Sequence, residues 1–133
     1  GAITPERKIA WDAIEKMLGH ANQLQVTFHR AIDLVDKNEE TLKQLFDLGI
    51  SRILTSGSVS NSENEWQSAA NAKGLDLLLR IKNRPNILAC GGIRPQNLKS
   101  LIALSDLTEI HSAARKTNFV EQEIVKELKA KWK

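Results

Sequence analysis

Cysteine is nearly absent from this sequence, since Cys90 is the only one among 133 residues. A disulfide within the chain is therefore excluded, which fits a reducing cytoplasm. No apolar run approaches the roughly 20 residues that a membrane-spanning helix requires, so we expect no membrane association. The GxxxxGK phosphate loop, the nucleophile elbow and the HExxH zinc motif are also missing, and the chemistry that each carries has no support here.

An excess of charge of one sign is lacking too, with 19 Lys and Arg against 16 Asp and Glu. Much of the small positive excess lies in the tail 126–133, while basic and acidic residues are interspersed elsewhere. Binding to nucleic acid would require a clustered basic face with aromatic side chains for stacking. We therefore interpret the tail as a solvated helix and expect no nucleic-acid partner.

The sequence does contain a regular alternation of helical and strand patterns within a length that suits one domain. Helices are predicted from Thr4-Pro5 to Gly19, from Asn38 to Gly49, over 64–82, from Pro95 through Ile102, and from the cap Asn118 to Trp132. Strands are predicted over 24–28, 51–54, 86–89 and 107–110. This order implies an α/β fold whose strands pair in parallel through right-handed crossovers.

Four strands are too few to close a barrel, which needs eight strands and about 250 residues. An open sheet of four would leave two unprotected edges, and a small flavodoxin-like sheet satisfies the fold class equally well. The residues at the strand ends favour half of a barrel over a flavodoxin-like sheet. Each strand is followed by small or polar residues, namely His29-Arg30, Thr55-Ser56-Gly57, Cys90-Gly91-Gly92 and His111-Ser112. In parallel α/β folds these ends converge on the face where ligands bind.

Two histidines and an arginine are the candidates for chemistry on this face. His29 and His111 are candidate acid or base groups, and Arg30 is a candidate anion clamp. The structural alternatives are a histidine that bonds its neighbours and an arginine paired with Asp33. Alternation places Glu109 on the side of His111, where it would either tune the imidazole or form an ion pair inside a barrel.

Hydroxyl groups and glycines provide the remaining candidate ligand contacts. Thr55 and Ser56 offer hydroxyls, although a turn with local hydrogen bonds explains them equally well. Gly91 and Gly92, followed by a helix near Pro95, form a candidate anion cradle that Ser112 would border.

Cys90 is the candidate metal ligand. With His29 and His111 at two other strand ends, its thiolate would suit Cu(I) or Zn(II). Nothing in the spacing requires this, and a buried cysteine usually behaves as a small hydrophobic residue.

The strand-end motifs resemble those of the CutC family, which is named for copper homeostasis. The similarity rests on Val26-Thr27-Phe28-His29-Arg30-Ala31-Ile32-Asp33, Leu48–Gly57, Gly91-Gly92-Ile93 with Asn97-Leu98, and Glu109-Ile110-His111-Ser112-Ala113. The resemblance implies a (β/α)8 TIM barrel of which this chain holds the C-terminal half, about four βα units. It further implies a cytoplasmic protein with a polar pocket at the strand ends.

The same resemblance sets limits on what is carried over. Residues 1–133 are expected to form one domain that lacks the first strands of the barrel, where some members have candidate copper-binding cysteines. Cys90 stands where the family more often has a small residue. Copper is therefore a possible ligand rather than an implied one.

Three functions remain open at this point. The first is a role in copper homeostasis, with metal bound at the strand ends. The second is an enzyme acting on a small phosphorylated or carboxylated metabolite. The third is a half-barrel that works as a homo-oligomer or by pairing with an N-terminal half, as its open edges suggest.

Overall fold

The computed structural model describes residues 1–58, 69–115 and 119–132. Its helices are α1 (Trp11–Ala21), α2 (Glu39–Asp47), α3 (Ala72–Leu79), α4 (Lys99–Ile102) and α5 (Gln122–Lys131), with a short 3-10 helix at Arg30–Leu34. Its strands are β1 (Thr27–Phe28), β2 (Arg52–Thr55), β3 (Asn86–Ala89) and β4 (Glu109–Ile110).

The four strands form one parallel sheet in the order β1-β2-β3-β4. Each strand thus lies beside the next strand of the sequence, as it does in a singly wound barrel. The predicted parallel α/β arrangement is confirmed. Among the described residues no strand pairs with the outer edge of β1 or of β4.

The two faces of the sheet differ in burial because successive strand residues point to opposite sides. One face packs into the core with the helices: Phe28, Ile53, Thr55, Ile87 and Ala89 are buried there, and Ile110 on the edge strand β4 is partly buried. The opposite face, here called the inner face, consists of Thr27, Arg52, Leu54, Asn86, Leu88 and Glu109. Asn86 is exposed, the other five residues are partly buried, and neither leucine belongs to the main core.

Helix α2 shows how closely local sequence can determine an element. The Asn38 side chain accepts a hydrogen bond from the Thr41 N–H at 2.8 Å, as an N-cap should. Leu42 and Leu45 face the core, and Gly49 follows the helix at φ 90°. The apolar spacing of this segment also predicts a buried Phe46, and this prediction is wrong because the side chain is 46% exposed.

Helix α1 begins at Trp11, and the predicted start at Thr4-Pro5 is wrong. Residues 4–8 form a turn in which the Thr4 N–H bonds to the Lys8 carbonyl, and Ile3 bridges to Ile9. Gly19 lies inside the helix instead of ending it. The chain leaves the helix at Asn22, whose φ of 52° is the left-handed conformation that asparagine tolerates.

Other predicted boundaries moved as well. Strands β1 and β4 keep only two residues each, and within the described part of the predicted 64–82 helix only residues 72–79 are helical. Helix α5 starts after Glu121; the predicted cap Asn118 lies outside the described residues. The helical spacing of the last segment predicts a buried stripe that includes Val120, Ile124 and Leu128. Ile124 and Leu128 are buried, but Val120 is 68% exposed. No helix in the described parts of the chain is both long and apolar enough to cross a membrane.

Gly57 lies in a tightly packed position directly after β2. Its φ is +71°, and a Cβ there would lie 2.7 Å from both the Leu75 Cγ and the Leu75 N. Gly19 differs, because a Cβ added there meets no atom within 4 Å.

Replacing these two glycines by alanine should have opposite effects. Gly57→Ala combines a left-handed backbone with a steric clash and should lower the free energy of unfolding by about 2 kcal/mol or more. Gly19→Ala adds a good helix former and should raise it by up to about 1 kcal/mol. Urea denaturation of both variants measures the difference, and similar values for the two would contradict the packing described for Gly57.

Candidate functional site

The carboxylate of Asp33 is the centre of a hydrogen-bond network at the end of β2. Asp33 is completely buried. It accepts hydrogen bonds from the Thr55 hydroxyl and, at 3.0 Å each, from the Ser56 N–H and the Ser56 hydroxyl. A buried carboxylate is tolerated only when its oxygens are bonded in this way. The network therefore joins the 3-10 helix after β1 to the end of β2.

Arg30 completes this network from the solvent side. Its Nε donates to Asp33 Oδ2 at 3.2 Å, and its side chain remains 24% exposed. The predicted alternative, an Arg30–Asp33 ion pair, is confirmed. Because the guanidinium is held at the C-terminal end of β1 and still reaches solvent, the ion pair is compatible with a role in anion binding.

His29 presents a defined tautomer at the same strand end. Its Nδ1 accepts a hydrogen bond from the Ala31 N–H at 3.0 Å, so in the neutral ring the proton resides on Nε2. Local desolvation lowers the pKa of His29, and the positive charge of the Gly1 amino group adds to this effect. The exposed side of the ring therefore offers an N–H donor. This arrangement suits the binding of an anion better than the binding of a metal, which needs a lone pair at that atom.

Cys90 lies at the end of β3 and is buried. Burial raises the pKa of its thiol to about 11; nearby Arg30 acts in the opposite direction, and Asp33 adds to the increase. A thiolate is the form that binds metals, so this environment weighs against the predicted role of Cys90 as a metal ligand. Within the described residues, no group of three or more His, Cys, Asp or Glu side chains could hold a metal ion.

The Gly91-Gly92 turn is closed by Asn97 instead of a helix. The Asn97 side chain accepts from the Arg94 N–H at 2.8 Å and donates to the Gly92 carbonyl at 2.9 Å. Both glycines have positive φ, as the predicted tight turn requires. The predicted helix start near Pro95 is wrong, since α4 begins at Lys99. The cradle therefore lacks the helical N–H groups that were expected of it.

Ser112 and Arg94 join the loops after β3 and β4 through hydrogen bonds. The Ser112 hydroxyl donates to the Ile93 carbonyl at 2.7 Å and accepts from the Ala114 N–H at 3.1 Å. Arg94 donates to the carbonyls of Ile93 and Arg115 at 2.7 and 2.9 Å. Arg94 was missed in the sequence; its position directly after Gly91-Gly92-Ile93 was the available signal.

Glu109 forms an ion pair with Arg52 across the inner face. The Arg52 Nε lies 2.8 Å from the Glu109 Oε2, and the Arg52 Nη1 donates to the Gln25 side chain at 2.6 Å. The alternative of a structural ion pair is thus confirmed. No hydrogen bond joins Glu109 to His111, although both residues lie in the described part of the chain. Arg52 was also missed, although strand alternation in β2 could have placed it on this face.

His111 and His29 lie at opposite edges of the sheet. The His111 N–H continues the β3–β4 ladder by donating to the Ala89 carbonyl at 2.7 Å, and both histidines are exposed. Three strand spacings separate β1 from β4, which amounts to about 14 Å in a flat sheet. The structure thus brings Arg30, Asp33, Thr55, Ser56 and Cys90 together and keeps the two predicted catalytic histidines apart.

Four parallel βα units with polar residues at every strand end define this chain as part of a TIM-type (β/α)8 barrel. Comparison with known proteins makes the assignment specific, because the CutC family model matches residues 1–116. The chain belongs to the CutC family, as its strand-end motifs suggested.

Relatives and a solved structure agree with this assignment. The family protein CutC of Salmonella schwarzengrund is 34% identical over 117 residues, which are 86% of this chain and 43% of that protein. Its counterpart from Salmonella agona is 33% identical over the same shares. A CutC from Streptococcus agalactiae, described as a candidate copper homeostasis protein, has a TM-score of 0.68 and 31% identity, covering 84% of this chain and 52% of that one. The chain thus spans about half the length of the relatives it matches.

Removing the charge of Asp33 should destabilise the fold strongly. Asp33→Asn keeps the shape but turns one acceptor into an N–H2 donor facing other donors, so the free energy of unfolding should fall by about 3 kcal/mol. Asp47→Asn is the control, because Asp47 forms an exposed ion pair with Lys43 and its loss should cost less than about 0.5 kcal/mol. Urea denaturation compares the two, and equal small effects would contradict the role given to Asp33.

The thiol of Cys90 should react slowly with iodoacetamide in the folded protein. A rise of its pKa from 9.0 to about 11 reduces the thiolate at pH 8 by about 100-fold relative to the unfolded chain. The alkylation rate, followed by mass spectrometry from pH 7 to 11 with and without urea, measures this. Fast modification of the folded protein at pH 8 would show that Cys90 is available as a thiolate.

Proposed function

We propose that this chain acts in copper homeostasis as part of a CutC-type barrel whose strand ends bind a small anion. The role in copper homeostasis is suggested by the description of the relative from Streptococcus agalactiae and by family membership. The binding of a small anion is suggested by the residues at the strand ends. The ligand class is a small phosphorylated or carboxylated metabolite.

The observation that carries the proposal is the position of Arg30. Its guanidinium is fixed by the buried Asp33 and is partly exposed at the C-terminal end of β1. Beside it, His29 offers an Nε2–H donor because its Nδ1 is engaged by the Ala31 N–H. A fixed cation next to a neutral N–H donor is a typical arrangement for binding carboxylate or phosphate oxygens.

Direct metal binding by a single copy is less well supported. The one thiol is buried with its pKa raised to about 11, and the described residues provide no cluster of three ligands. A role in copper homeostasis does not require the chain to bind copper, because a metabolite-binding protein can contribute to the same process.

Replacing Arg30 should weaken phosphate binding. Isothermal titration with inorganic phosphate, and with acetate as a carboxylate probe, should show a loss of about tenfold or more in Arg30→Gln, because a charge-assisted hydrogen bond disappears. Arg80→Gln is the matched control, since Arg80 pairs with Asp76 on α3 and should not affect binding.

The same titration with Cu(I) separates the two ligand classes. Equal, weak uptake of Cu(I) by wild type and Cys90→Ala agrees with the proposal. Tight uptake that Cys90→Ala abolishes, together with phosphate binding that Arg30→Gln leaves unchanged, would replace the anion by the metal.

A further inference from the structure

A cavity of about 470 Å³ lies between the loop after β3 and helix α5, and neither Arg30 nor His29 lines it. We call this cavity the charged cleft, because its lining carries charges of both signs: Arg94, Gln96, Arg115, Glu123, Ile124 and Glu127. The two arginines belong to the loops after β3 and β4, and the two glutamates belong to α5. The cleft therefore has a cationic wall on the loops and an anionic wall on the helix.

Arg94 is a fixed part of the cationic wall. Its Nη1 donates to the Ile93 carbonyl at 2.7 Å, and its Nη2 donates to the Arg115 carbonyl at 2.9 Å. The Nη1 atom also lies 3.4 Å from the Ser112 hydroxyl oxygen. A guanidinium held in this way loses little conformational freedom when it binds a further partner, so its charge is pre-organised.

Arg115 is placed on the same wall by a strained loop. The preceding residue, Ala114, is buried and has a φ of 47°, a left-handed conformation that alanine rarely adopts. The Glu121 N–H donates to the Ala114 carbonyl at 2.8 Å, and Arg115 bridges to Val120. Such strain persists only where surrounding contacts enforce it, and it is frequent at ligand-binding sites. The Arg115 side chain is exposed and bonds to no other side chain of the described residues.

The anionic wall is one face of α5. Glu123 and Glu127 are one helical turn apart, and the buried Ile124 lines the cleft beside them. Glu127 forms an ion pair with Lys131. Glu123 is exposed and pairs with no residue in the parts of the chain that the structure describes. This wall therefore offers one uncommitted carboxylate next to an apolar side chain.

The opposite charges of the two walls do not neutralise each other by direct contact. Among the described residues, no ion pair joins an arginine of the cleft to one of its glutamates. The lining holds two cations and two anions, so its net charge is zero. A ligand with a single charge is attracted by one wall and repelled by the other, whereas a ligand that carries both charges complements both walls.

We propose that the charged cleft binds a small zwitterion with a carboxylate at one end and a primary ammonium at the other. The carboxylate accepts hydrogen bonds from Arg94 and Arg115, and the ammonium donates to Glu123. Methylene groups between the two charges contact Ile124. The ligand class is therefore that of amino acids, including those whose amino group is at the far end of the chain. This site is separate from the anion site at the end of β1 and goes beyond the function proposed for Arg30.

Binding is tested by NMR titration of the nitrogen-15-labelled Arg30→Gln variant, in which the other anion site is removed. Glycine, 4-aminobutyrate and 6-aminohexanoate differ in the spacing of their two charges, and at least one of them should shift the backbone amide signals of Gln96 and Ile124. Butyrate and butylamine, or hexanoate and hexylamine, keep the chain length but carry one charge each. They should bind about tenfold more weakly than the zwitterion of the same length.

The two walls are tested separately by single substitutions in the same background. Arg115→Gln and Glu123→Gln each remove an exposed charge without changing the core, and each should weaken the binding of the best zwitterion by about tenfold or more. Arg80→Gln and Glu15→Gln are the matched controls, since both residues are exposed and neither lines the cleft. These two variants should bind the zwitterion as their parent does.

The results that would overturn the proposal are distinct. They are the absence of a shift with all three zwitterions, equal binding of a zwitterion and its singly charged analogues, and binding that neither Arg115→Gln nor Glu123→Gln weakens. If either variant fails to fold, which its spectrum shows directly, the comparison with the singly charged analogues decides. Phosphate binding at Arg30 is measured separately, so the failure of one site leaves the other standing.

Discussion

The buried carboxylate of Asp33 is the interaction on which the rest of this structure depends. It accepts hydrogen bonds from Thr55 at the end of β2, from Ser56 directly after that strand and from Arg30 beyond β1, so one side chain fixes the relative position of two strand ends. A desolvated charge of this kind is stable only when all of its partners are in place. The network therefore stabilises the fold and positions the guanidinium that we assign to ligand binding. Structural role and functional role cannot be separated at Asp33.

The sequence allowed the fold to be predicted because its signals are local and repeated. Asn38 caps α2, Gly49 follows it, and the strand predicted over 86–89 matches β3 residue for residue. The start of α1 was not predictable in the same way. Thr4-Pro5-Glu6 has the composition of a helix start, but a turn closed by the Lys8 carbonyl competes with it, and the bridge between Ile3 and Ile9 favours the turn. The start of α4 was not predictable either, because the Asn97 side chain accepts a hydrogen bond from the Arg94 N–H and forms a turn where a helix was expected.

The candidate site was only half predictable, because it depends on pairs that lie far apart in the sequence. Strand ends could be recognised one by one, which is why Arg30, Thr55 and Ser56 were identified. Which partner each side chain selects is decided by tertiary packing. Glu109 pairs with Arg52 of β2 and not with His111. The hydroxyl of Ser112 donates a hydrogen bond to the carbonyl of Ile93. The tautomer of His29 likewise follows from a backbone N–H that no sequence pattern reveals.

The strand-end face holds the buried Asp33 carboxylate and the partly exposed Arg30 guanidinium, which is consistent with an anion-binding site at this end of the sheet. The most direct measurement is a crystal structure of the chain grown with inorganic phosphate. The account predicts phosphate at the strand ends, in contact with the Arg30 guanidinium and the His29 Nε2. Strand ends filled by the protein's own side chains, with phosphate bound elsewhere or not at all, would contradict it.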